Sequence, residues 1–84
     1  MIKIKYFARL GEALQLREED LALNGAILTV SDLLGLLRNR GEPWASQFSS
    51  KNSVLMALNH EMCDSSATIK SGDEVGFFPP VTGG

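Results

Sequence analysis

The residues best suited to chemistry in this sequence are Gly83 and Gly84 at its end, preceded by Phe77-Phe78-Pro79-Pro80-Val81-Thr82. Glycine carries no Cβ, so two in succession can pass through a channel too narrow for a side chain. Pro79 and Pro80 do the opposite: they fix φ and donate no hydrogen bond, which ends sheet pairing and holds the chain extended. Over 79–84 an extended chain reaches roughly 20 Å at about 3.3 Å per residue. A carboxylate at the tip of such an arm can enter another protein's active site while the domain stays outside. The expected organisation is therefore a folded domain over 1–78 and a flexible C-terminal Gly-Gly tail over 79–84.

No internal constellation competes with that terminus. His60 is the single histidine and falls on an expected turn, where a solvated role suits it. Cys63 has neither a Cys-x-x-Cys partner nor a basic cluster to lower its pKa, and reads as a small, buried or half-buried hydrophobe. Glu18-Glu19-Asp20 could suggest a metal patch, but adjacent carboxylates alternate faces in a strand, so a solvated edge is expected and no metal. Lys3, Lys5 and Arg9 read as the exposed face of the first strand.

At 84 residues, with 44% hydrophobic and 21% charged residues, the chain is expected to form one globular domain without structural metal or disulfide. No apolar run approaches the ~18 residues of a membrane span, and the charged, alternating start Met1-Ile2-Lys3-Ile4-Lys5 is unlike a signal peptide. One cysteine cannot make an internal disulfide, which fits a reducing cytoplasm. A net charge of −2 gives no electrostatic reason to bind nucleic acid.

The elements that must position the tail follow from periodicity. Ile2, Ile4, Tyr6 and Ala8 alternate with Lys3, Lys5, Phe7 and Arg9, the period of a strand with one buried face. A short helical turn is expected at 11–16, and a second strand at 17–23 with Leu21 and Leu23 on one face, closing at Asn24-Gly25. Val30, Leu33, Leu34 and Leu37 have helix spacing. Thr29-Val30-Ser31-Asp32 fits a capping box, and Arg38, Arg40, Gly41 and Pro43 form a stop signal. Gly35 inside this helix is expected to allow close packing on the sheet. A strand over 54–58, a turn at Asn59-His60-Glu61, a brief return at Met62-Cys63 and a last strand over 74–78 complete the order. That order is α+β, a ubiquitin-like β-grasp: a mixed sheet with its first and last strands central and one long helix on one face. The expected core is Ile2, Ile4, Tyr6, Leu21, Leu23, Val30, Leu33, Leu34, Leu37, Leu55, Ala57, Val75 and Phe77.

The ending Gly72-Asp73-Glu74-Val75-Gly76-Phe77-Phe78-Pro79-Pro80-Val81-Thr82-Gly83-Gly84 resembles that of the small subunits of molybdopterin synthase, the sulfur carriers of molybdenum cofactor synthesis. Ile4-Lys5-Tyr6-Phe7-Ala8, the helix start at Thr29-Val30 and Trp44 are similar in kind and place. Gly35 and the polar stretch 47–53 depart from the pattern. A terminal carboxylate, with a pKa of about 3.5, is ionised at neutral pH and is a poor electrophile, so it needs activation. The resemblance implies that activation comes from an adenylating enzyme similar to ubiquitin-activating enzymes, which consumes ATP and magnesium to adenylate Gly84. Sulfur from a donor such as a cysteine desulfurase then leaves a thiocarboxylate there. The tail would deliver that sulfur to cyclic pyranopterin monophosphate in the large catalytic subunit, in a heterotetramer. On this reading the chain is no enzyme by itself and binds no cofactor. Alternatives sharing the carboxylate chemistry are a sulfur carrier for thiamine thiazole or tRNA thiolation, and a ubiquitin-like protein modifier. A plain interaction module with a passive tail is a further class.

A docking surface follows from strand alternation. If Ile4, Tyr6, Val75 and Phe77 face the helix, Phe7 and Phe78 must face away from it. On adjacent central strands they would form an exposed aromatic patch, joined by Met62. The expected partner-binding residues are thus Phe7, Met62, Phe78, Pro79, Pro80, Val81 and Thr82.

Overall fold

Alternation of apolar and charged residues makes Ile2–Tyr6 the first strand, β1, with Ile2, Ile4 and Tyr6 buried and Lys3 and Lys5 on the other face. The structure, a computed structural model, describes residues 1–23, 25, 27–49 and 53–79. Strands β2 (Glu18–Leu21), β3 (Leu55–Leu58), β4 (Glu61–Cys63) and β5 (Glu74–Phe78) join β1 in one sheet of order β2-β1-β5-β3-β4. β1 and β5 are parallel, with Ile4 opposite Val75 and Tyr6 opposite Phe77. The pairs β1·β2, β3·β5 and β3·β4 are antiparallel. The β3–β4 hairpin turns at Asn59 and His60, both at positive φ (51° and 70°), as a two-residue turn of the primed type demands.

The long helix α2 (Val30–Arg38) starts at the expected capping box. The Asp32 amide donates to Thr29 Oγ1 at 3.2 Å, and Asp32 Oδ2 accepts from the Thr29 amide at 3.0 Å and the Leu28 amide at 2.9 Å. Those amides hold the Asp32 carboxyl below its ordinary range. Val30, Leu33, Leu34 and Leu37 form its buried stripe, and Gly41 at φ 90° takes the chain away from its end.

Several expectations need correction. β1 stops at Tyr6, and Ala8 at φ 52° opens a helix, α1 (Ala8–Leu14), so Ala8 and Arg9 are helical. Leu10 and Leu14, four apart, put α1 into the core. A Cβ on Gly11 would lie 2.6 Å from the Tyr6 carbonyl oxygen, so only glycine lets α1 sit this close to the strand. The second strand is shorter than 17–23, with Leu21 and Leu23 half-buried against the core rather than within it. The turn residue Asn24 lies outside the described residues. A further short helix, α3 (Trp44–Gln47), was not expected, and it precedes a fully buried Phe48 in the stretch read as polar.

The register of β3 is offset by one residue from the expected face. Met56 lies opposite Phe77 and Leu58 opposite Val75, so these two pack on the core. Leu55 and Ala57 lie opposite Phe78 and Gly76 on the other face, where Leu55 is 39% exposed and Ala57 is buried. In an uninterrupted apolar run, period two cannot choose between faces. Ile27, Phe48 and Ile69 complete the core with Leu10 and Leu14. Gly35 does not serve close packing: a Cβ there would meet nothing within 4 Å.

Candidate functional site

β5 ends at Phe78, and Pro79 continues from it half-buried. Pro80, Val81, Thr82, Gly83 and Gly84, the expected arm and its reactive end, lie outside the described residues. The described part of the site is the root of that arm and the sheet face beside it.

The helix-side face fixes the strand leading into the arm. Phe77 is fully buried, with its ring 6.1 Å from that of Tyr6 in a stack and 5.2 Å from that of Phe48 edge to face. Trp44 closes the cluster at 5.3 Å from Tyr6. The Tyr6 hydroxyl donates to Glu19 at 2.7 Å, and Arg40 grips the same carboxylate with two N–H donors at 2.8 and 2.9 Å while lying over the Trp44 ring. Burial would raise the Glu19 carboxyl, but the hydrogen bonds from Arg40 and Tyr6 outweigh it and hold the group below its ordinary value. Burial and the Glu19 carboxylate push the Tyr6 phenol far above its own. Glu19 is therefore a hub between sheet and helices, not part of the solvated edge expected for Glu18-Glu19-Asp20. The available signal was strand parity: Glu19 shares a face with Leu21 and Leu23, whereas Glu18 and Asp20 do not.

The other face carries the aromatic pair. Phe7 and Phe78 stack with ring centroids 4.7 Å apart and planes 5° from parallel. Strand pairing puts Leu55 next to Phe78, and Ala57 and Met62 one row further along β3 and β4. Phe7, Leu55 and Met62 are 39%, 39% and 63% exposed. The structure thus brings Phe7, Phe78 and Met62 to one face, as the alternation argument expected, and adds Leu55, whose signal was masked by the register ambiguity. The apolar rows sit at the arm end of the sheet. Toward its opposite end the face is charged: Lys3 pairs with Glu18 at 3.6 Å, and Glu74 lies 3.8 Å from Lys5 and 3.5 Å from His60. An apolar patch beside the end of β5, with a polar margin, is suited to docking.

His60 is exposed on the hairpin turn. Cys63 is half-buried, and burial together with the Asp64 carboxylate pushes its thiol up. Among the described residues no three or more His, Cys, Asp or Glu side chains gather where a metal could bind, and no helix is long and apolar enough to cross a membrane.

Among the described residues, five strands with β1 and β5 parallel at the centre and one long helix across a single face define the ubiquitin-like β-grasp class. Residues 4–84 match the ThiS family, and the chain belongs to that family. It is 31% identical to the molybdopterin synthase sulfur carrier subunit of Haemophilus influenzae and 32% identical to that of Escherichia coli, in each case over 84 residues covering all of both chains. Among solved structures it is similar to SAMP1 of Haloferax volcanii, with a TM-score of 0.76, 28% identity and coverage of 99% of this chain and 98% of that one.

Proposed function

We propose that this chain is the sulfur carrier subunit of a molybdopterin synthase, with the Gly84 carboxylate as its reactive group. The observation that carries this reading is the end-to-end match to two curated subunits of that name. The exposed aromatic face at the root of the arm supports it, because a carrier must be held while its terminus reaches a distant centre.

In this reading an adenylating partner uses ATP and magnesium to join the Gly84 carboxylate to AMP, with release of pyrophosphate. The outer sulfur of a persulfide donor, such as a cysteine desulfurase supplies, displaces AMP to give an acyl disulfide, and a second thiol cleaves its S–S bond, leaving a thiocarboxylate on Gly84 and a disulfide on the donor side. The large subunit then receives the arm, 79–84, and two thiocarboxylates in turn each pass one sulfur to cyclic pyranopterin monophosphate to build the dithiolene, water releasing the Gly84 carboxylate each time. The catalytic side chains belong to the partners, and exclusion of water around the inserted arm protects the activated terminus from hydrolysis. Phe7, Phe78, Leu55 and Met62 supply the contact surface, and Pro79 and Pro80 the stiffness. These steps take place in the cytoplasm, where thiols stay reduced.

The similarity to an archaeal protein whose kind is described as a small archaeal modifier gives a second reading, in which Gly84 ends as an isopeptide on a lysine. Both begin with carboxyl adenylation. The test is the intact mass of the protein purified after co-expression with its activating partners, followed by fragmentation of the C-terminal peptide. Localisation is essential, because oxidation of a methionine or of Cys63 adds nearly the same nominal mass as exchanging oxygen for sulfur. Sulfur on Gly84 is the expected result. An unmodified terminus with Gly84 joined to lysines of other proteins would replace the carrier reading with the modifier one.

A further inference from the structure

We propose that Gly76 is a positioning residue for partner docking: the missing side chain is what lets the edge of the Phe7 ring come close to β5 and the ring stack on Phe78. This rests on the reading above that the open sheet face meets the large subunit. Gly76 is buried in the middle of β5, on the face it shares with Phe78, and β1 pairing places Lys5 directly beside it. A glycine within a strand normally weakens it, and it often marks a place where another group must approach closely. Here that group is the Phe7 ring. A Cβ on Gly76 would stand 3.0 Å from Phe7 Cε2, and 3.6 Å from Phe78 Cε1 and Cζ. The first distance is too short for an undisturbed carbon contact, whereas the second is not.

Phe7 cannot relieve that contact by moving its backbone. Its amide donates to the Phe77 carbonyl at 3.0 Å, extending the β1–β5 ladder, and its own carbonyl accepts from the Leu10 and Gly11 amides at 3.2 and 3.4 Å as α1 begins. Only the side-chain torsions remain, and the ring is 39% exposed with solvent on its outer side. A methyl group at position 76 therefore tips the ring outward and breaks the parallel stack at the root of the arm. The strand itself loses nothing, since Gly76 is not at positive φ and glycine within a strand costs more backbone entropy than alanine.

The experiment is a double-mutant cycle of Gly76→Ala and Phe7→Ala in the full chain. It reads binding to the purified large subunit of molybdopterin synthase, thermal unfolding, and the ring-current shifts of the aromatic protons. Gly76→Ala is expected to unfold at or above the wild-type temperature, to lose the upfield shifts of the Phe7–Phe78 stack, and to bind about tenfold more weakly. In the Phe7→Ala background the same change should have no further effect. Weak binding by Phe7→Ala with wild-type binding by Gly76→Ala would overturn the role of Gly76 and leave the docking face standing. Wild-type binding by Phe7→Ala would remove Phe7 from the docking face and the role of Gly76 with it. A Gly76→Ala defect that persists in the Phe7→Ala background would show that glycine acts by another route and would overturn the inference. If Gly76→Ala fails to fold, the double variant decides: refolding on removal of the ring supports the contact, and continued unfolding refutes it.

Discussion

The hydroxyl of Tyr6 and the carboxylate of Glu19 meet at 2.7 Å, and each sets the other's protonation. The phenol is driven far above its ordinary value of 10.0, first by burial and then by this acceptor. Because Tyr6 is the only tyrosine, a spectroscopic titration reads it alone. Phenolate absorbance is expected to stay absent as pH rises past 10 and to appear only when the chain unfolds. Stability is full below that pH and falls above it, since the unfolded chain releases a proton that the folded chain keeps. A smooth titration near pH 10 in folded protein would show that the hydroxyl is not held this way.

Glu19 gives the opposite dependence at the acid end. Its folded carboxyl lies below the ordinary 4.5, so its contribution is complete above that pH and is lost as pH falls through the lower folded value. Glu19→Gln also leaves Arg40 without its two charged acceptors. The expected cost at pH 7 is about 1–3 kcal/mol in denaturant unfolding, shrinking as pH falls through the lowered folded value and the wild type loses the same charge. A cost that does not change with pH would assign the effect to packing.

The two helical glycines examined by the same substitution should respond with opposite sign. Gly35 in α2 faces open space, and Gly35→Ala is expected to stabilise the protein by about 0.5–1 kcal/mol, raising the melting temperature by a few degrees. Gly11 in α1 faces the Tyr6 carbonyl oxygen at 2.6 Å, which cannot move without disturbing β1, so Gly11→Ala should cost about 2 kcal/mol or more. Thermal unfolding of the two variants side by side checks both.

What could be read from the residues and what could not divides along physical lines. The α2 capping box and its apolar stripe were legible because each rests on a period or a local hydrogen-bond geometry, and the central place of β1 and β5 followed from the order of the elements. The patch of Phe7 and Phe78 was legible for the same reason, once both were placed on the face of the sheet turned away from α2. The face of Leu55 was not, because a run of apolar residues carries no alternation. A helical turn was legible at 11–16, but the start of α1 was hidden: Ala8 prolongs the strand pattern by identity, while only its left-handed backbone reveals the turn. Phe48 was obscured by polar neighbours, although its spacing of four from Trp44 was available. The role of Glu19 depends on Arg40, 21 positions away, and no local pattern connects them.

Cys63 should be a slow thiol. It packs half-buried against the core, and burial and Asp64 both disfavour the thiolate. Reaction with a small aromatic disulfide at pH 8 is expected to run several-fold slower than for an unhindered cysteine, and Cys63→Ala should leave sulfur loading of Gly84 unchanged. Loss of loading in Cys63→Ala, with the fold intact, would instead assign this thiol a part in the relay.

Phe78→Asp tests the open face most directly. The ring is partly exposed and lies outside the helix-side core, so its loss removes a stack worth about 0.5–1.5 kcal/mol and should leave the free domain folded. In the complex the same position would place a carboxylate where apolar surface is covered, at the point from which the arm departs. Desolvating an unpaired charge there should weaken binding to the large subunit about thirtyfold or more, with the loss appearing mainly in the dissociation rate. Adenylation of Gly84 measured on the same variant separates the partners. If activation is retained while large-subunit binding falls, the face serves the synthase in particular. If both fall together, one apolar surface serves both partners in turn, and they must compete for it. Unchanged affinity for the large subunit would exclude the Phe78 ring from docking and leave the arm to carry recognition alone.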